Sequence, residues 1–103
     1  MNWNEVYNWL VAHGHMTENW EVIGIGYESL YAEDSFENTF LSVFTRGAND
    51  ELVVIVGCLK PKVSVGGSTG FEVKSYEDVI YWLEDHLEDM YDELMRKVAE
   101  QNG

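Results

Sequence analysis

Residues 75–100 read SYEDVIYWLEDHLEDMYDELMRKVAE, and this stretch decides the fold. Apolar residues recur at Tyr76, Val79, Ile80, Leu83, Leu87, Met90, Tyr91, Leu94 and Val98. Steps of three and four put them on one side of a helix. Ser75 with Asp78 three residues later is a capping signature, a hydroxyl at the N-cap and a carboxylate one turn on. No Gly or Pro interrupts the run before Gly103. The spacing therefore predicts one long amphipathic helix near the C-terminus, with its apolar stripe laid on the rest of the chain.

The opposite side of that helix carries Glu77, Asp78, Glu84, Asp85, Glu88, Asp89, Asp92 and Glu93, and no Lys or Arg lies between Lys74 and Arg96. Glu84, Glu88 and Asp92 form one i, i+4 ridge; Asp85, Asp89 and Glu93 form a second beside it. Four residues of helix rise about 6 Å, so the acids make two evenly stepped lines. Four like-charge i, i+4 pairs cost on the order of 1–2 kcal/mol before screening by salt. Glu77 and Asp78 recover part of this at the positive end of the helix dipole; Asp92 and Glu93 lie too far along. Such a face is either a solvated surface that keeps the chain soluble or a surface shaped to meet a basic partner.

Moving outward, 103 residues set one domain, residues 1–103, as the natural count. Apolar residues make up 46% and aromatic residues 14%, which supports a packed core and argues against disorder. Nineteen acidic residues against six basic ones give a formal charge of −13. Free nucleic acid and anionic membranes repel such a chain; its natural partners are cationic. The single cysteine, Cys58, cannot form an internal disulfide, which fits a reducing cytosol. There is no basic-plus-apolar leader, and no apolar run is long enough to span a bilayer, so the expected location is cytoplasmic.

Upstream of the long helix, residues 2–13 predict a first helix with Trp3, Val6, Tyr7, Leu10 and Val11 as its stripe, Asn2 or Asn4 as N-cap and Gly14 as terminator. Residues 20–27 predict a strand in which Gly24 and Gly26 mark either close approach of a helix or a bulge. Residues 28–37 lack strong periodicity and read as an acidic, aromatic connector. Within it Leu30, Tyr31, Glu33, Asp34 and Phe36 form a contact loop or a cap on the core. Residues 38–46 alternate: Phe40, Ser42, Phe44 and Arg46 face one way, Thr39, Leu41, Val43 and Thr45 the other. Gly47 to Asp50 make a turn, and residues 51–59 form a near-continuous apolar strand at the sheet centre. Val63–Val65 and Phe71–Val73 read as two short strands across a Gly66–Gly70 loop. The fold class is α+β: an N-terminal helix, an antiparallel sheet of three or more strands and the long helix, with both helices on one sheet face.

Motifs for catalysis and cofactors are absent. Gly24-Ile25-Gly26 lacks the third glycine and the helix of a dinucleotide fingerprint, and the Gly66–Gly70 run lacks the lysine of a phosphate loop. His13-Gly14-His15 places two imidazoles near each other, but the flexible glycine fixes no geometry for a metal. Cys58 has neither a neighbouring base nor an electropositive setting, so it reads as a structural thiol. Neighbouring helix residues point apart, so Asp85-His86 is no catalytic dyad. The expectation is a non-enzymatic protein with no cofactor and no metal.

In architecture and charge the chain resembles small phage-encoded anti-CRISPR and anti-restriction proteins, some of which pair a short sheet with helices and a strongly acidic surface. The resemblance covers the overall plan and no specific motif. It implies an inhibitor that presents carboxylates where a basic nuclease or effector complex expects phosphates. The expected contact residues, read from the chain itself, are Glu84, Asp85, Glu88, Asp89, Asp92 and Glu93, with Tyr31, Glu33 and Asp34 of the connector as the next candidates. Four Trp and six Tyr are more than charge mimicry requires and suit a binder with apolar anchors. The alternative with the same physics is an immunity or antitoxin protein that neutralises a basic nuclease toxin.

Overall fold

The computed structural model describes residues 3–26, 29–47 and 50–102. The elements in order are α1 (Trp3–Ala12), β1 (Trp20–Gly26), β2 (Ser29–Asp34), β3 (Thr39–Arg46), β4 (Glu51–Cys58), β5 (Val63–Glu72) and α2 (Tyr76–Asn102). The strands pair antiparallel in chain order, β1-β2-β3-β4-β5. The fold is α+β. Asn2 as N-cap, Tyr27, Glu28, and Ala48 and Asn49 of the expected turn lie outside the described residues; Asn4 lies inside α1.

The register explains the layering. One set of rows runs Val22–Ala32–Leu41–Val56–Val65 and Ile25–Leu30–Val43–Val54–Gly67 across the sheet. Leu30, Ala32, Leu41, Val43, Val54 and Val56 from these rows are fully buried, and they meet Val6 and Leu10 of α1 and Val79, Leu83, Leu87 and Leu94 of α2 in one core. α1 packs over β1 and β2, and α2 over β4 and β5. Both helices therefore cover the same sheet face. The molecule measures 41 × 28 × 20 Å, and its shortest dimension is that of helix on sheet.

Local chemistry sets the helix ends. Gly14 has φ 75°, His15 N–H donates to the Leu10 carbonyl at 2.9 Å, and Gly14 N–H donates to Val11 at 3.1 Å. This is the Schellman arrangement, with glycine in the left-handed position. At the start of α2, the Asp78 carboxylate reaches back and accepts from Lys74 N–H at 2.9 Å.

Three expectations need correction. Residues 29–34 are not a connector: they form β2, with Leu30 and Ala32 in the core. The stretch Gly66–Gly70 is not a loop: it belongs to β5, Val63–Glu72, whose register on β4 shifts between Ser68 and Glu72, where Gly70 has φ 71°. Gly67 is required there because the Trp82 ring lies over it; a methyl group at Gly67 would stand 2.9 Å from Trp82 Cη2. Val11 is 45% exposed rather than part of the α1 stripe, and Met16 after the helix is buried in its place. At Gly24 nothing approaches, and the register shifts between Val22 and Gly24, so the bulge is the correct reading of that glycine.

Candidate functional site

α2 spans 27 residues, about 40 Å of helix. Its apolar stripe is anchored along the sheet: Val79, Leu83, Leu87 and Leu94 are fully buried. Trp82, absent from the expected stripe, is also buried and stacks on His86 at 4.2 Å between ring centroids. Lys97 Nζ donates to the Ser64 carbonyl at 3.2 Å and ties the far end of the helix to β5. A helix fixed along one side holds the other at constant orientation.

That other side carries Glu84, Asp85, Glu88, Asp89, Asp92 and Glu93, and all six are exposed. Among the described residues no Lys or Arg lies within ion-pair distance of any of them; the nearest cationic candidate is His86 Nδ1, 3.7 Å from Asp85 Oδ2. His15 also feels this surface. Burial pushes its pKa down, while the charge of Glu88 opposes that shift and His13 adds to it. His13 and His15 flank Trp9, with ring centroids 4.6 Å and 5.3 Å away. Among the described residues no group of three or more His, Cys, Asp or Glu side chains is placed to hold a metal ion.

The chain matches no protein-family model, no curated protein and no solved structure.

Two exposed apolar side chains interrupt the acidic face. Tyr81 is 75% exposed and Met95 50%. Positions 81, 85, 88, 92 and 95 follow steps of four and three, so Tyr81 and Met95 bracket Asp85, Glu88 and Asp92 on one line of the helix. Sequence reasoning missed both as site residues. The signal was present in their displacement from the apolar stripe.

Tyr31, Glu33 and Asp34 do not join this surface. Tyr31 and Glu33 project from β2 on the sheet face opposite the helices, so the sheet separates them from the α2 acids. Tyr31 O–H donates to Glu33 Oε2 at 2.6 Å, and that bond, with burial and the Glu33 charge, pushes the phenol pKa up to about 12. Asp34 is only 4% exposed; its Oδ1 accepts from Phe36 N–H at 2.9 Å and Glu37 N–H at 3.2 Å, closing the β2–β3 turn. A carboxylate so used is a turn former, and Asp34 drops out of the expected contact set. Phe36, beside it, is 77% exposed at the turn tip.

Cys58 is free and buried, and desolvation pushes its thiol pKa up. That is the opposite of what a nucleophile requires. It lines a pocket of about 220 Å³ with Phe40, Leu59, Lys62, Val63 and Ser64. No described helix is long and apolar enough to cross a membrane.

Proposed function

We propose that the protein is a non-enzymatic inhibitor that presents the outer face of α2 in place of nucleic acid and so blocks a basic nucleic-acid-handling protein. The class is that of the phage anti-CRISPR and anti-restriction proteins, acting in the host cytoplasm. One observation carries the reading: six exposed carboxylates stand on a single anchored helix, and no Lys or Arg among the described residues lies within ion-pair distance of them, Arg96 one turn on from Asp92 included. From Glu84 to Glu93 the helix rises about 14 Å, which is one negative charge per ~2.5 Å. Duplex DNA carries one charge per ~1.7 Å of axis and a single strand one per ~3.4 Å, so α2 falls between them.

Arg and Lys side chains that hold phosphates accept carboxylates by the same charge-assisted hydrogen bonds. The exposed Tyr81 and Met95 supply apolar area at either end of the acidic line. Hot spots of protein interfaces are enriched in aromatic anchors such as an exposed Tyr set among charges. The test is capture from a lysate of the host on the immobilised protein, followed by a salt gradient. The expected result is salt-dependent release of one basic protein that loses its nucleic-acid binding when the inhibitor is added back. A captured protein that still binds its nucleic acid at saturating inhibitor sinks the proposal.

A further inference from the structure

The sheet has a second face, and no element among the described residues covers it. Its rows are Glu21–Glu33–Phe40–Gly57–Ser64, then Gly24–Tyr31–Ser42–Ile55–Gly66, then Ser29–Phe44–Val53–Ser68. An antiparallel sheet that is wet on one side alternates apolar inward with polar outward. Here the alternation fails at the centre. β4 is apolar from Leu52 to Val56 on both faces, the pattern of a strand covered above and below. The Phe40 ring lies against Gly57 and leaves no room there for a methyl group, and the Tyr31 ring lies 6.0 Å from that of Phe40. The result is an apolar centre of half-buried Tyr31, Phe40, Phe44 and Ile55 around the already buried Val53, rimmed by charged and small residues.

We infer that this face is covered by a second copy of the chain, giving a symmetric sheet-on-sheet dimer with its two-fold axis along the strands. Area and charge both argue for it. Five strands ~4.8 Å apart and about six residues long present roughly 500 Å² of projected sheet. That is near the ~600 Å² per partner at the lower bound of stable interfaces. An apolar centre inside a polar rim is the anatomy of such an interface.

The charges on the rim choose the axis. Glu21 and Glu33 face each other across β1 and β2, a like-charge pair with no compensating base on their own strands. At the same end of the sheet, on the far side, lie Lys60 and Lys62 of the β4–β5 turn. Lys62 shares a pocket with Phe40 and Ser64, which places it beside the uncovered face. A two-fold axis parallel to the strands lays β1 and β2 of one copy over β4 and β5 of the other. Glu21 and Glu33 then meet the partner's lysine corner, and the exchange is reciprocal.

The −13 charge on each copy does not forbid this. The α2 acids sit on the outer sides of the sandwich, about 40 Å apart with sheets ~10 Å from each other and helices outside them. The Debye length at physiological salt is ~8 Å, so the two acidic faces are screened from one another. The dimer displays both outward.

Sedimentation equilibrium over a concentration series into the high-micromolar range tests the inference without any partner protein. The expected mass at the top of the series is twice the 11.9 kDa of the chain. Ile55→Glu buries an unpaired charge at the centre and should raise the dissociation constant at least about 100-fold. Ser42→Arg, at a position already polar and remote from the helix-side core, should do the same in a chain whose circular dichroism is unchanged. Glu33→Lys and Lys62→Glu should each weaken the dimer about 3- to 10-fold, and the two together should restore it. A wild-type chain that stays monomeric throughout overturns the inference. So does a dimer indifferent to both Ile55→Glu and Ser42→Arg. A double exchange no better than the singles overturns the strand-parallel axis. None of these outcomes bears on the α2 face, which lies on the other side of the molecule.

Discussion

A methyl group placed on Gly57 would stand 2.4 Å from Phe40 Cε1 and 2.8 Å from the Val63 carbonyl oxygen. The second neighbour is backbone and cannot step aside. Gly57→Ala should therefore destabilise the protein by about 1–3 kcal/mol, read as a lower midpoint in urea unfolding. Tyr91 tests a different kind of residue. Its hydroxyl has no hydrogen-bond partner, and burial, then the charge of Asp34, push its pKa up to about 12. The folded state thus holds the phenol proton more tightly than the unfolded chain, whose value is 10.0. Tyr91 contributes stability in full below pH 10, and that contribution is lost as pH rises from 10 towards 12. Tyr91→Phe removes an unpaired buried hydroxyl, so stability at neutral pH should stay within about 1 kcal/mol or rise. Its unfolding midpoint should fall less steeply than wild type between pH 10 and 12, as followed by urea unfolding across that range.

Among the elements, α2 was legible but for the buried Trp82, because its signals are local: a capping carboxylate, a 3.6-residue stripe and no breaker. β3 was equally plain, since Leu41 and Val43 are buried while Phe40, Ser42 and Phe44 are half-exposed. β2 was not. Its buried positions are Leu30, Ala32 and Asp34, and a buried aspartate in the third place erases the alternation. Only the turn behind it, invisible in composition, explains the carboxylate. β5 hid for another reason. Glycines weaken strands taken alone, and Gly67 is selected by a tryptophan fifteen positions away in the chain. Tyr81 and Met95, by contrast, were legible as outer positions, because both fall off the stripe of Tyr76 to Val98. The stripe itself makes a prediction. Leu83→Ala or Leu87→Ala should cost about 2–5 kcal/mol, measured by thermal or urea unfolding, because both side chains are fully buried between helix and sheet. A loss below 1 kcal/mol at both positions would mean that α2 is not seated as described.

At the scale of the whole molecule, the helices sit on one side of the sheet and send the densest run of acids outward, away from the apolar sheet face behind. Lys60, Lys62 and Lys74 are exposed but too few to change the sign of the field. Bare duplex DNA should therefore show no mobility shift with the purified protein at moderate salt, even at high protein concentration. A shift would contradict the polarity of the surface. The α2 acids and the pair Tyr31 and Glu33 lie on opposite sides of the sheet, so they are two separate candidate surfaces. Chain proximity could not reveal that the sheet stands between them.

The proposed role of the α2 face is tested most directly by one triple variant, Glu84→Lys with Glu88→Lys and Asp92→Lys, carried through two readings on one preparation. The first is thermal stability. Replacing one acidic ridge with lysines turns its like-charge contacts with the other ridge into opposite ones, while the pairs within it stay like-charged, so the melting temperature should hold or rise. The second is affinity for the basic protein captured from the host, with association and dissociation rates resolved. Affinity should collapse, chiefly through slower association, and wild-type binding should weaken in the same direction as salt is raised. A variant that melts at or above the wild-type temperature and binds the captured protein as tightly as wild type contradicts the assignment of function to α2.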